Sequence, residues 1–295
     1  MPITEIEGRK LTLSHLERVL YPRTGTTKGE LVHYYATIAP VLLPHLHGRP
    51  LSFLRAPGGV DDKSFFAKRP PSGTPSWVTT SVTERSSGEE MEQVQINDLA
   101  TLVWAANLSC IELHVPQWRA ATPETADRLV LDLDPGEDRS VVDCCAVALL
   151  LRARMRADGI ESWVKTSGSK GLHLYAPLKG ASPDQAAAYA KALAQELEAD
   201  HPDQVVSRMT KNLRTEKIFI DWSQNSAKKT TAAPYTVRAR ATPTVSTPVS
   251  WDEIEQCDDP AQLSFTLADV PDRVVEHGDL LAPLLERKQA GKLPS

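Results

Sequence analysis

Asp132 and Asp134, set two apart in the apolar run Arg128-Leu-Val-Leu-Asp-Leu-Asp-Pro-Gly136, are the first residues whose spacing suggests chemistry. Leu129, Val130, Leu131 and Leu133 read as a buried strand, and Pro135-Gly136 ends it in a turn. On a strand, residues two apart leave the same face, so both carboxylates point together. Two anions side by side repel each other and resist desolvation unless something positive lies between them. A divalent metal answers that need, and hard oxygen ligands suit Mg²⁺ or Mn²⁺. Read alone, the pair serves equally well to cap the turn or the next helix. A third acid shifts the balance towards metal: Asp221 ends a second apolar run, Lys217-Ile-Phe-Ile-Asp-Trp222. Sites of this type use about two or three carboxylates together with phosphate oxygens of the substrate.

Three further constellations make sense around such a centre. Thr166-Ser-Gly-Ser-Lys-Gly171 offers backbone N–H groups, hydroxyls and one point charge, the tools for holding a polyphosphate. It lacks the GxxxxGK[ST] spacing of a P-loop, and a flexible hairpin turn is the plainer alternative. Lys28 opens a helix after Thr24-Gly-Thr-Thr27, where a cation opposes the macrodipole yet helps make an anion site; a surface lysine is the alternative. Phe65 and Phe66 are bracketed by Lys63, Lys68 and Arg69. Alternation would bury one ring and expose the other, and an exposed ring among cations makes a stacking platform for a base. Both rings could equally lie in the core.

The elements that must position these groups are those of an α/β protein. Leu11 to Tyr21 suggests a strand and then a short helix stopped by Pro22, and Thr27 with Glu30 forms a capping box for a helix from Lys28 to about Leu43. Pro50 to Pro57 reads as a strand, Asn97 to Asn107 as a helix, and Leu108 to Val115 as an alternating strand. That strand puts Glu112 and His114 on one face, where His114 either reaches a substrate or is an ordinary satisfied histidine. A helix follows from Ser140 to about Ala157, with Gly159 just past its end. Strands Glu161–Lys165 and Leu172–Pro177 flank the Ser/Gly/Lys loop, a helix runs from about Pro183 to Ala199, and Tyr235–Arg240 reads as a basic strand.

Composition bounds the partners. With 295 residues, 41% hydrophobic and 24% charged, the chain is an ordinary globular protein with one large domain or two packed lobes. The first ten residues lack the apolar core of a signal peptide, and the longest apolar run, Cys144–Leu151, is too short to span a bilayer. Four cysteines without a CxxC pair point away from structural zinc and from a disulfide framework, as expected in a reducing cytosol. The net charge of −5 hides a basic stretch: Val205–Arg240 carries eight Lys and Arg against two Asp and Glu. A local basic surface, not a basic total, is what contact with DNA requires.

His114, Leu131-Asp-Leu-Asp-Pro-Gly136, Thr166-Ser-Gly-Ser-Lys-Gly-Leu-His173, Phe219-Ile-Asp-Trp-Ser-Gln-Asn225 and Ala233-Pro-Tyr235 stand in an order that resembles one family. It is the polymerase domain of bacterial DNA ligase D, within the archaeo-eukaryotic primase superfamily, which serves non-homologous end joining. Val19-Leu-Tyr-Pro22, Gly25-Thr-Thr-Lys28 and Gly48-Arg-Pro50 are similar to it as well. The resemblance implies a single primase-polymerase domain of mixed α/β type, with an RNA-recognition-motif-like catalytic sheet packed on a smaller N-terminal α/β lobe. Its lobes are expected over about 1–105 and 106–250, with a C-terminal helical extension over 251–295.

What the resemblance implies for the site can be given residue by residue. Asp132, Asp134 and Asp221 would hold two divalent ions, Mn²⁺ or Mg²⁺. Ser167, Lys170 and His173 match the triphosphate motif, while His114, Arg214, Gln224 and Arg238 match other nucleotide-site positions. Lys28 matches a lysine that binds the 5′-phosphate of the downstream strand. Arg18 stands beside it where close relatives can carry lysine. Phe65 and Phe66 match aromatics that stack on the template, and Arg55 fits the same DNA face. The implied activity is primer extension at DNA gaps and breaks, with NTPs or dNTPs and often with ribonucleotides. The implied partners are DNA bearing a 5′-phosphate, Ku and a DNA ligase on the same or a separate chain, in the bacterial cytoplasm at the nucleoid and without a membrane. Two other classes share clustered aspartates or DNA binding: a two-metal phosphoesterase or nuclease, and a catalytically silent DNA-end-binding module. Hydrolysis does not need the Ser167/Lys170 loop, and a silent module does not need all three aspartates.

Overall fold

The computed structural model describes residues 3–84 and 88–294. The chain forms two compact units, and neither is continuous in sequence. The first comprises residues 1–115, 230–246 and 265–278; the second comprises 116–229, 247–264 and 279–295. A boundary near 105 was expected from sequence. It falls after Val115 instead, because the strand Cys110–Val115 is a middle strand of the first unit's sheet and cannot leave it.

In the first unit, four antiparallel strands lie in the order Thr231–Ala232, Cys110–Val115, Ser52–Arg55, Phe65–Ala67. The helix Lys28–Leu46 starts with the expected capping box, Thr27 and Glu30 each bonding the other's backbone N–H, and passes through Pro40 and Pro44 before ending. Its buried Leu31, Tyr34, Tyr35, Ile38 and Leu42 share a core with Leu102, Val103 and Ala106 of the helix Leu99–Asn107 and with Phe53, Ile111 and Leu113 of the sheet. Buried tyrosine hydroxyls need partners, and here they tie the layers together: Tyr35 donates to Ile111 O at 2.6 Å and Tyr34 to Tyr235 O at 2.8 Å.

Two expected elements are absent from this unit. No short helix precedes Pro22: His15 takes a left-handed φ of 50°, and Val19–Tyr21 pairs with Thr26–Thr27 as a small ladder. The β-favouring Val-Leu-Tyr triplet outweighs the helical spacing there. Tyr235–Arg240 is not a regular strand either. It begins at a left-handed Tyr235, φ 65°, and meets 244–246 through the isolated bridge Val237–Val245 and hydrogen bonds such as Tyr235 N to Ser246 O at 2.7 Å, without forming a regular ladder.

The second unit is built on Thr122–Pro135, a helix Val141–Ala157, strands Trp163–Thr166 and Leu172–Ala181, a helix Pro183–Asp200 and the strand Ile218–Asp221. In the sheet, Ile218–Asp221 lies beside Thr122–Pro135, then Leu172–Ala181, then Trp163–Thr166, all antiparallel. This is the βαββαβ order of ferredoxin-like and RNA-recognition-motif folds, as expected for the catalytic sheet. Short strands extend it at the edges, Val205–Val206 in parallel on one side and Pro248–Val249 on the other. The first helix buries Cys144, Val147, Ala148, Leu151 and Met155, and the second buries Ala186, Ala190, Leu193, Ala194 and Leu197. Ser140 caps the first, and Gly159, φ 74°, follows its end in the left-handed turn a glycine accepts best. Among the described residues no helix is long and apolar enough to cross a membrane.

Candidate active site

The register of the second unit's sheet decides what the aspartates meet. Asp132 lies opposite Asp221 on one side and opposite His173 on the other, and His173 lies opposite Lys165. Residues directly across an antiparallel sheet share a face, so Asp221, Asp132, His173 and Lys165 form one row across four strands. His173 Nε2 lies 3.1 Å from Asp132 Oδ1, and Lys165 Nζ lies 3.1 Å from His173 Nδ1. Lys165 is fully buried and also lies 5.7 Å from the Tyr175 ring centroid, an ammonium held among an imidazole and an aromatic face. Sequence reading passed over Lys165, since only the register puts it at the end of this row.

The other acids are held less symmetrically. Asp221 accepts from Ser223 Oγ at 2.5 Å and from Gln224 Nε2 at 2.9 Å, with Lys229 Nζ 3.8 Å away. Gln224 also reaches towards Asp132 Oδ2 at 3.5 Å, and Lys229 donates to Ser223 Oγ. Asp134 stands at the exposed end of the strand, and among the described residues none gives its carboxylate a hydrogen bond or an ion pair. Burial of its surroundings, then the Asp132 charge, lift its pKa to about 6, while His173 and Arg214 pull the other way. Because the carboxylate itself is exposed, solvent tempers the burial contribution, and like-charge crowding is the part a cation would reverse.

The donor set is thus three carboxylates on adjacent strands, a hard-oxygen set that fits a divalent ion. Among the described residues no three His, Cys, Asp or Glu side chains already converge as ligands. Asp132 turns to His173, and Asp221 to Ser223 and Gln224.

The Ser/Gly/Lys loop lies against the acid strand for a steric reason. Gly171 packs so closely on Leu133 O that a Cβ there would overlap it. Ser167 Oγ accepts from Ser169 N at 3.2 Å and Gly171 N at 3.1 Å, and Ser167 N donates to Gly171 O at 2.8 Å. The hydroxyl therefore shapes the loop, while Lys170 projects from it, exposed. Arg214 stacks over the Phe219 ring at 3.6 Å and donates to Met209 O at 2.6 Å.

The remaining candidates belong to the first unit. His114 and Arg238 meet at Glu112, whose Oε2 lies 2.7 Å from His114 Nε2 and 3.1 Å from Arg238 Nε. Phe65 and Phe66 are both exposed, at 41% and 58%. They stand on the edge strand Phe65–Ala67, and with both rings exposed neither the alternating expectation nor a core pair holds. Arg55 lies 5.5 Å from the Phe65 centroid, and Phe66 meets His114 edge-on at 5.3 Å. Lys28 is almost buried and donates to Ser14 O at 2.5 Å, while Arg18 Nη1 donates to Pro57 O at 2.7 Å. One expectation is corrected here. The first helical N–H groups do not point at an anion, because Lys28 N bonds Arg18 O and Gly29 N bonds Leu16 O. The side-chain cations of Lys28 and Arg18 are what remains for one.

Acids and a histidine in one row of a βαββαβ sheet, beside a Ser/Gly/Lys loop, match what is expected of a nucleotidyltransferase of the primase-polymerase class. The sequence matches the family described as LigD, primase-polymerase domain, over residues 27–281. It is 45% identical over 278 residues to the multifunctional non-homologous end joining protein LigD of Mycolicibacterium smegmatis, covering 93% of this chain and 36% of that protein. To the bifunctional non-homologous end joining protein LigD of Bacillus subtilis it is 29% identical over 272 residues, 91% of this chain and 43% of that protein. The solved polymerase domain of Mycobacterium tuberculosis ligase D, in complex with DNA, superposes with a TM-score of 0.88 at 42% identity, covering 93% of this chain and 98% of that one. The chain belongs to the LigD primase-polymerase family, whose members are nucleotidyltransferases. It spans less than half the length of these two LigD proteins.

Proposed function

We propose that this chain extends primer ends at gaps and double-strand breaks in non-homologous end joining, adding NTPs or dNTPs with a preference for ribonucleotides. The observation that carries the reading is the row Asp221, Asp132, His173, Lys165, with Asp134 crowded but unanswered beside it. Asp132, Asp134 and Asp221 would hold two Mn²⁺ or Mg²⁺ ions. Such ions supply activation of a primer 3′-hydroxyl and neutralisation of charge on the triphosphate.

The protein's own groups do the rest. Lys165 fixes the His173 ring, and His173 in turn orients the Asp132 carboxylate. Ser167 sets the loop from which Lys170 offers its ammonium to the phosphates, and Gln224 steadies Asp221. His114 and Arg238 contact the nucleotide. Phe65, Phe66 and Arg55 present exposed rings and a cation for a template base, and Lys28 with Arg18 takes the 5′-phosphate of the downstream strand. Support for a DNA substrate comes from the M. tuberculosis domain, solved in complex with DNA. Ku and a DNA ligase, on the same or another polypeptide, are the partners this role implies, at the nucleoid of the bacterial cytoplasm.

The test is extension of a gapped duplex bearing a downstream 5′-phosphate, with each nucleotide class and each metal. Asp132→Ala and Asp134→Ala should each lower the rate by roughly 10³-fold or more, since metal catalysis contributes several kcal/mol. Wild-type rates in either variant, or metal-independent extension, would remove the assignment.

A further inference from the structure

Glu112 is the most heavily committed acid outside the aspartate row. It lies in the middle of the strand Cys110–Val115 with 4% of its surface exposed. Two hydrogen bonds and an ion pair converge on it: His114 Nε2 lies 2.7 Å from Oε2, the backbone N–H of Ala239 donates to Oε1 at 2.9 Å, and the Arg238 guanidinium pairs with Oε2, its Nε 3.1 Å away. A buried carboxylate beside a guanidinium and two further donors stays ionised, and an ionised carboxylate only accepts. The proton between Glu112 and His114 therefore sits on Nε2, which sets both the tautomer and the plane of the imidazole. The same oxygen faces the Arg238 guanidinium, whose side chain is 13% exposed. Phe66 meets the imidazole edge-on, so the ring is fixed from two directions.

We propose that Glu112 is a positioning residue for nucleotide binding: one buried carboxylate orients His114 and Arg238 together, so that the two act as a unit. This rests on the reading of His114 and Arg238 as nucleotide-contacting residues. A carboxylate that merely anchored the 235–240 segment through Ala239 would not link the two side chains energetically.

Glu112→Gln separates these roles, because the amide keeps the shape and an acceptor for Ala239 N–H but loses the charge. Steady-state extension of gapped DNA is measured with varied nucleotide for wild type, Glu112→Gln, His114→Ala, Arg238→Ala and the doubles containing Glu112→Gln. Removing the carboxylate partner of a functional histidine costs roughly 10–100-fold elsewhere, so the KM for nucleotide should rise about tenfold or more. Adding His114→Ala or Arg238→Ala to Glu112→Gln should then do far less than it does in the wild type. An unchanged KM, or effects that multiply independently, would overturn the proposal. Imidazole ¹⁵N shifts of the wild-type protein give a second reading that needs no variant. The Nε2–H tautomer of His114 is expected, and an Nδ1–H tautomer overturns the assignment. If wild-type protein extends no primer at all, the polymerase reading fails while the tautomer still decides the Glu112–His114 part.

Discussion

Asp134 shows what a carboxylate crowded by its own sign of charge costs a folded protein. Its pKa rises from 3.8 to about 6, so the folded state holds the proton more tightly than the unfolded chain does. A folded pKa above the unfolded one lowers stability as pH climbs from about 4 through about 6, and the cost is complete above that window. Exposure of the carboxylate keeps the cost small but does not change its sign. Asp134→Asn should therefore melt higher than wild type at about pH 7 in the presence of a chelator, with the difference closing near pH 4. Mn²⁺ should raise the wild-type Tm and move the variant much less, because ligand binding stabilises only the state that binds it. Differential scanning fluorimetry with and without metal reads both effects. A variant that melts lower with chelator, or gains as much from Mn²⁺, would count against a metal at this carboxylate. The aspartates themselves were legible because acids closing apolar runs are conspicuous. Lys165 was not, since its place comes from what lies across the sheet, and one sequence does not state its register; Glu112 was visible only as the neighbour of His114, because Arg238 and Ala239 reach it from far along the chain.

Elements explain how Asp221 stays opposite Asp132. The strand Ile218–Asp221 stops at that pairing, and the chain turns away through Trp222–Asn225. Asn225 then takes over the ladder with its side chain. Its Oδ1 accepts from Val130 N at 2.8 Å, and its Nδ2 donates to Val130 O at 2.7 Å and to Trp222 O at 2.8 Å. The residue is 1% exposed, so its removal leaves a backbone N–H and C=O buried without that partner. At about 1–3 kcal/mol for each of these two groups, Asn225→Ala should cost roughly 2–6 kcal/mol. Extension should fall with it, because the turn that follows Asp221 is loosened. Urea denaturation measures the loss, and a change below about 0.5 kcal/mol would show that water replaces the amide. The Thr27–Glu30 box and the Ser140 cap were readable because helix starts are local chemistry. The helix expected before Pro22 failed because a strand partner five residues on outbid its spacing.

At the scale of the molecule the net charge is −5, so the proposed attraction to DNA would have to come from placed cations rather than from the total. The two discontinuous units were not legible for a related reason. Thr231–Ala232 completes a sheet whose neighbour ended at Val115, and pairing over that distance leaves no local mark. Lys28 and Arg18 are two such placed cations, held by Ser14 O and Pro57 O. Burial, then the Arg18 charge, lowers the Lys28 pKa from its usual value of 10.5, with Glu17 pulling the other way. A charge-assisted contact to a 5′-phosphate is worth about 1.5–3 kcal/mol, or roughly ten- to a hundredfold in affinity. Wild-type protein should prefer 5′-phosphorylated over 5′-hydroxyl gapped DNA by about that factor, less as salt rises. Lys28→Ala should erase the preference. The sign with pH follows from the shift: the lysine is charged below its folded pKa, so the preference should fade as pH rises, and sooner than an ordinary lysine would allow. Fluorescence anisotropy with both DNAs and both proteins, at fixed salt and stepped pH, measures it. Equal discrimination by wild type and variant would take Lys28 out of the pocket, and no discrimination by wild type would remove the pocket itself.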